Sequence, residues 1–425
     1  MMPILNPNLL SMKSDVMGFL NEALLRFPEA ISLASGRPSA KYFDLRESLD
    51  KFDAYVKYRM AETGESEAFI LSDLGQYNRA QGIINGELAK FLAKDEQIKV
   101  DPEDIIVTVG AQEAMMLILT TLCHPAHHSI AIENPSYIGM STYAKIADYE
   151  VASIPTTPEG LDLSVLEESI AVAKSNGKPI RLLYTIPDYQ NPTGNLMPLA
   201  ARKALLAKAE EHDFYILEDN AYGYFNYEGE KIPSIKSLDE KNRTIYVGSF
   251  SKILFPSLRL AVVAAGQSFE FEGKTLALSK QISTTKAYVS LNTPSINQAI
   301  LGAYLRDNDF SLVPFSEEKV TGCSEKRAAM LSALEKYLGN QVAVKWRKPA
   351  GGFFLTLEVP FKVEEANVIE CAEQYKVIFC PMSFFYLDGI GGDHEIRLAF
   401  SNLEPAEITT AIERLAKYIL SKLKA

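Results

Sequence analysis

Ser249-Phe250-Ser251-Lys252-Ile253-Leu254-Phe255-Pro256-Ser257-Leu258-Arg259 follows the apolar run Thr244–Val247, which reads as a buried strand. Gly248 breaks the strand pattern, and three hydroxyls, one lysine and one arginine then arrive within the eleven positions of the stretch. Phe250, Ile253, Leu254 and Phe255 make the surroundings of Lys252 apolar. Desolvation lowers the pKa of an amine and gives it nucleophilic character. Ser249, Ser251 and Arg259 suit an anion such as a phosphate. A solvated lysine in a strand-to-helix turn is the bland alternative. Taken alone, S-x-S-K is too short to choose between the two, and the rest of the chain decides.

Six further apolar runs precede or follow this one: 105–109, 129–132, 150–154, 180–187, 214–217 and 258–265. With 244–247 they make seven strands, and the helical stretches between most of them imply a largely parallel sheet covered on both faces. From 341 onward the pattern changes to α+β. Runs 342–346 and 352–358 pair around Pro349-Ala350-Gly351-Gly352, and 377–380 and 395–400 follow as strands. A last helix runs from about Pro405 to Lys424. The expected fold is therefore α/β, a seven-stranded mainly parallel sheet in a large domain plus a smaller α+β domain. The boundaries fall at 1–70 (an arm and part of the small domain), 71–305 (the large domain) and 306–425 (the C-terminal small domain).

The 425 residues are 47% hydrophobic and 23% charged, with a net charge of −11. An acidic surface argues against nucleic acid or an anionic membrane as partner. No uncharged run is long enough for a membrane span. The start of the chain shows no secretory signal, and the four cysteines form no C-x-x-C pair and read as reduced thiols of a cytoplasmic protein. His124, His127 and His128 crowd one turn, but no thiol or carboxylate stands at ligand spacing, so no metal is expected. Lys326 and Arg327 read as a solvated helix face.

The strand ends carry the chemistry, as expected in such folds. After 105–109, Gly110-Ala111-Gln112 opens a helix, and free N–H groups there make an anion site. Tyr137 follows the next strand and could lie flat on a ring. Asn191 sits in the turn after 180–187. Asp219 ends a fully apolar strand, where an acid is costly without a cationic partner; a helix N-cap is the alternative. Arg397 lies mid-strand between apolar neighbours and needs an anion, either a substrate carboxylate in its fork or an internal salt bridge. Gly36 allows close backbone approach, and Arg37 is either a substrate contact or a surface charge. An activated lysine, a phosphate cradle and an acid for a protonated pyridine together suit pyridoxal phosphate.

At this point the chain resembles the class I/II aminotransferases of fold type I, in the branch with 2-aminoadipate and aromatic aminotransferases, over roughly residues 30–420. The motifs are Tyr184-Thr185-Ile186-Pro187-Asp188-Tyr189-Gln190-Asn191-Pro192-Thr193-Gly194, Glu218-Asp219-Asn220-Ala221-Tyr222-Gly223, and Gly248–Lys252 with Pro256 and Arg259. Asn191 to Asp219 spans 28 positions and Asp219 to Lys252 spans 33. The resemblance implies an enzyme that moves an amino group between an L-amino acid and a 2-oxo acid by ping-pong kinetics through a Schiff base on Lys252. It implies that Lys252 shuttles the α-proton and that Asp219 holds the pyridine nitrogen protonated. Asn191 and Tyr222 would bond the ring hydroxyl, and Tyr137 would stack on the ring. Ser249, Ser251, Arg259 and the N–H groups of Ala111 and Gln112 would hold the phosphate, and Arg397 the substrate carboxylate. It also implies a homodimer in which Tyr77 crosses to the neighbouring site.

Three departures from the family pattern stand out. Glu113 replaces a more usual glutamine, Asn78-Arg79-Ala80 replaces a Gly-Pro turn after Tyr77, and Arg37 replaces a leucine near the substrate side chain. Competing readings are another pyridoxal phosphate reaction (elimination, cyclisation, oxidation or decarboxylation) and a ligand-sensing regulator. The second is disfavoured by the acidic charge and by the lack of a winged-helix segment.

Overall fold

The computed structural model describes residues 5–10 and 16–424. Its large sheet has eight strands in the order Ile105–Thr108, Ala261–Ala264, Thr244–Ser249, Tyr215–Asn220, Ile180–Thr185, Ser129–Asn134, Glu150–Thr157 and Gly160–Leu161. All seven strands expected from sequence take part. The eighth, Gly160–Leu161, is only two residues long and pairs antiparallel with Thr156 and Thr157, too short to show a period of its own. The four central pairings are parallel, while Ala261–Ala264 runs antiparallel to both its neighbours.

Apolar runs without alternation form these strands because both faces are covered. Successive residues serve opposite layers. Ile130, Ile132, Leu182 and Leu217 pack with the helix Gly110–Leu122, whereas Ala131, Leu183 and Ile216 pack with the helices Leu163–Ser175 and Leu199–His212.

A second, antiparallel sheet has the order Lys345–Trp346, Phe354–Glu358, Glu395–Ala399, Cys380–Pro381. The helix Pro405–Lys422 packs its apolar stripe (Ile408, Ile412, Leu415, Ile419) into this sheet's core. The N-terminal segment joins the same body, because Ile31 and Ser32 pair parallel with Val377 and Ile378.

Two expectations need correcting. The region 267–340 is not wholly helical, since it opens with the hairpin Ser268–Phe271 and Lys274–Ala277. Lys326 and Arg327 are buried rather than solvated. Lys326 donates to the Ser401 carbonyl and pairs with Glu404, and Arg327 pairs with Glu228, so the helix Val313–Leu338 turns these cations inward. His128 Nδ1 accepts from the His124 N–H and His124 Nδ1 from the Ala126 N–H, which is turn capping. All four cysteines are free and buried. Among the described residues no helix is long and apolar enough to cross a membrane.

Candidate active site

The parallel strands end at a cavity of about 1540 Å³ lined by the large sheet, the N-terminal segment and the antiparallel sheet. Every site residue named from the sequence lines it except Tyr77, which is 82% exposed on the surface.

Lys252 follows the strand Thr244–Ser249. Its Nζ donates to the Gly36 carbonyl at 3.0 Å. Burial, then the positive charges of Arg397, Arg259 and Arg37, bring its pKa down to about 8. An amine so placed is neutral and nucleophilic in mildly alkaline solution. Gly36 is needed there: a Cβ on it would stand 2.4 Å from the Phe354 ring.

Asp219 lies at the end of the strand Tyr215–Asn220 and is buried. It caps no helix; instead Oδ2 accepts from the Tyr184 hydroxyl at 2.7 Å. Oδ1 is buried with no hydrogen-bond partner. Burial pushes the carboxyl up to about 6, and the Tyr184 bond partly offsets this. An ionised carboxylate with one free oxygen, held in an apolar layer, is a site for a cation.

The opposite end of the cavity is built for an anion. Arg259 adopts a left-handed backbone conformation (φ 50°). It donates to Ser251 Oγ and to the Val109 carbonyl, each at 3.4 Å. Gly110 opens the helix Gly110–Leu122 at φ +75°, and a Cβ there would meet Arg259 Nη2 at 2.4 Å. Ala111 and Gln112, whose N–H groups lie in the first turn and so have no intrahelical acceptor, line the same wall. Glu113, one residue on, turns away from the cavity to the Val109 N–H and Lys286.

Arg397 sits mid-strand opposite Thr356 and Cys380. The internal salt bridge weighed from sequence is absent: among the described residues no carboxylate pairs with it. It donates to Asn191 Oδ1 at 2.8 Å and to the Ala34 carbonyl at 2.6 Å. Its guanidinium carbon is 4.4 Å from the ring centres of both Phe354 and Phe385. The Nε is buried and unpartnered. Asn191 also stands beside the Tyr222 phenol, whose pKa burial pushes well up and which this amide pulls slightly back.

Sequence reasoning assigned no role to Tyr184, to the Phe354 and Phe385 rings or to the Ala34 carbonyl. Tyr184 does carry a signal, as a phenol that follows the apolar pair Leu182 and Leu183 in a buried strand. The others are contacts across the fold and carry none.

Pyridoxal phosphate fits these residues. The unpartnered Asp219 oxygen suits its pyridinium, Arg259 and the helix start suit its phosphate, and Lys252 lines the same cavity. Comparison with known proteins agrees. Residues 72–415 match the family described as aminotransferase class I and II. The chain is 38% identical over 408 residues to the (S)-3,5-dihydroxyphenylglycine transaminase of Amycolatopsis orientalis, covering 96% of this chain and 92% of that one. It is 31% identical to the 2-aminoadipate transaminase of Thermus thermophilus, covering 93% and 91%. The structure of Pyrococcus horikoshii kynurenine aminotransferase, solved in complex with PMP, matches with a TM-score of 0.84 at 29% identity, covering 99% and 98%. The chain is thus a pyridoxal phosphate-dependent enzyme that transfers amino groups, and it belongs to the class I and II aminotransferase family.

Proposed function

We propose that the cavity takes an L-amino acid and then a 2-oxo acid in turn, with Arg397 holding the α-carboxylate of each and Lys252 carrying the proton at Cα. The observation that carries this is the buried Arg397 guanidinium, which has no carboxylate beside it among the described residues and whose Nε is unpartnered. Its fork matches a carboxylate, and the flanking Phe354 and Phe385 rings hold it in plane.

When bound, pyridoxal phosphate supplies the electron sink that stabilises charge at Cα. Asp219 keeps the pyridine nitrogen protonated by presenting its free oxygen, and Tyr184 holds that carboxylate in position. Asn191 and Tyr222 would hold the ring hydroxyl, Tyr137 would lie against the ring, and Ser249, Ser251, Arg259, Ala111 and Gln112 would hold the phosphate. Lys252, neutral above pH of about 8, would take the proton from Cα and deliver it to the cofactor carbon that carries the amino nitrogen, and the reverse in the second half of the cycle. The wall of Leu20, Leu24, Ile138 and Phe384 favours apolar and aromatic side chains, while Arg37, exposed and lining the cavity with no ion pair among the described residues, offers a distal acidic group a partner.

The protein acts in the cytoplasm as a homodimer with Tyr77 reaching the partner site. The exposure of Tyr77, Tyr288, Leu291 and Ile296 supports the dimer. Residues 71–305 form the cofactor-binding unit, and 306–425 with part of 1–70 the smaller one. Single-turnover reaction of the purified holoenzyme with individual amino acids tests the proposal. Release of a 2-oxo acid that is lost in Arg397→Met, while the cofactor stays bound, supports it. Undiminished turnover of Arg397→Met refutes it.

A further inference from the structure

The phosphate end of the site is backed by a buried ion pair that no part of the proposed reaction uses. Lys286, on the helix Leu278–Val289, has no exposed side-chain surface, and its Nζ lies 3.1 and 3.3 Å from the two carboxylate oxygens of Glu113. It also donates to Ser290 Oγ at 2.7 Å. Glu113 Oε2 accepts in turn from the Val109 N–H at 2.6 Å. Val109 is held on its other side as well, by Arg259 Nη2 on its carbonyl. The next residue, Gly110, is tied through its carbonyl to Thr108 Oγ1 at 3.1 Å.

Glu113 therefore fixes the peptide from which the cradle of Gly110, Ala111 and Gln112 starts. A carboxylate in a helix's first turn also complements the helix dipole. The same position is a handicap when the helix start must bind a phosphate, because a second negative charge repels the first through a poorly screened interior. Lys286 cancels that charge.

We propose that Lys286 is a positioning residue for cofactor binding: it neutralises Glu113, so that this carboxylate can pin the Val109 peptide without repelling the phosphate held at Ala111 and Gln112. The inference rests on assigning this end of the cavity to the cofactor phosphate.

The test titrates apo-protein with pyridoxal phosphate, and separately with inorganic phosphate as competitor, following absorbance and protein fluorescence. Wild type, Lys286→Met, Glu113→Gln and the double variant are compared. Lys286→Met raises the Kd for pyridoxal phosphate about tenfold, from the bare charge left one helical turn from the phosphate. Glu113→Gln, which keeps the acceptor for the Val109 N–H, binds at least as tightly as wild type. The double variant returns to within about threefold of wild type. A double variant as weak as Lys286→Met, or an unchanged Lys286→Met, overturns the proposal, since a merely structural bridge behaves that way. If Lys286→Met does not fold, Glu113→Gln decides alone, and a tenfold weakening there overturns it. Wild-type protein that takes up no pyridoxal phosphate refutes the underlying assignment instead, which separates the two failures.

Discussion

Replacing Asp219 by asparagine should stabilise the cofactor-free protein while disabling the enzyme. The carboxyl of Asp219 is raised from the usual 3.8 to about 6, chiefly by burial. A rise of that size corresponds to about 3 kcal/mol. The sign follows from proton binding. The folded state holds this proton more tightly than the unfolded state, so stability is greatest below the unfolded pKa near 4. It then falls as the pH climbs through the interval to about 6, and the full deficit persists above it. Asp219→Asn keeps an acceptor for the Tyr184 hydroxyl and removes the buried charge. Urea denaturation of the apo-protein should show the variant more stable than wild type by up to about 3 kcal/mol at pH 8 and nearly equal at pH 4. The same variant, loaded with cofactor, should transfer amino groups at least about a hundredfold more slowly, because the pyridine nitrogen loses its ionic partner. An equal gain at both pH values, or none at pH 8, would refute the reasoning that this carboxylate is held ionised at a cost for the sake of a bound cation.

Other consequences are more local. Gly110→Ala should weaken pyridoxal phosphate binding at least about tenfold by titration, since its Cβ would displace the Arg259 guanidinium and its φ is positive. The rate at which apo-protein captures pyridoxal phosphate on Lys252, followed by stopped-flow absorbance, should rise with pH to a plateau with its midpoint near 8. The neutral amine is the nucleophile, and burial has lowered its pKa from 10.5. Arg397→Met should lower kcat/KM for every amino acid about a hundredfold or more, the loss of two charge-assisted hydrogen bonds to the α-carboxylate. Arg37→Ala should lower kcat/KM for glutamate more than for phenylalanine, and equal effects on the two would remove Arg37 from substrate recognition.

The large sheet was legible because most of its strands are buried on both faces and so read as nearly continuous apolar runs, and because a glycine or an acid follows most of them. Lys252 and Asp219 stood out by a related logic, as charged groups beside apolar strands where burial is expensive, whereas Asn191, in a turn, took its role only from the family resemblance. The edge strand Gly160–Leu161 was hidden because two residues carry no period. The hairpin at 268–277 was hidden because its strands are mostly exposed and its residues suit a helix as well as a strand. Lys326 and Arg327 misled for a different reason. A charged pair on a helix looks solvated from sequence, and only the packing of that helix against Ser401, Glu404 and Glu228 turns it inward. Arg397 shows the limit most clearly. Its sequence context demanded an anion but could not distinguish a protein carboxylate from a substrate's. The choice depends on what the fold brings beside it from four separate segments: among the described residues these are the Asn191 amide oxygen, the Ala34 carbonyl and the rings of Phe354 and Phe385, and no acid.

The central claim is that Lys252 carries pyridoxal phosphate and that amino acids convert it to its amine form. The most direct measurement is the absorbance spectrum of the purified protein before and after adding single L-amino acids, alongside Lys252→Ala. The account predicts a yellow band in wild type that is missing in Lys252→Ala and that gives way to the pyridoxamine spectrum with particular amino acids, with a 2-oxo acid released in equal amount. A protein that binds the cofactor but never converts it to the amine form would contradict transamination at this site. A colourless protein that takes up no cofactor would contradict the site itself.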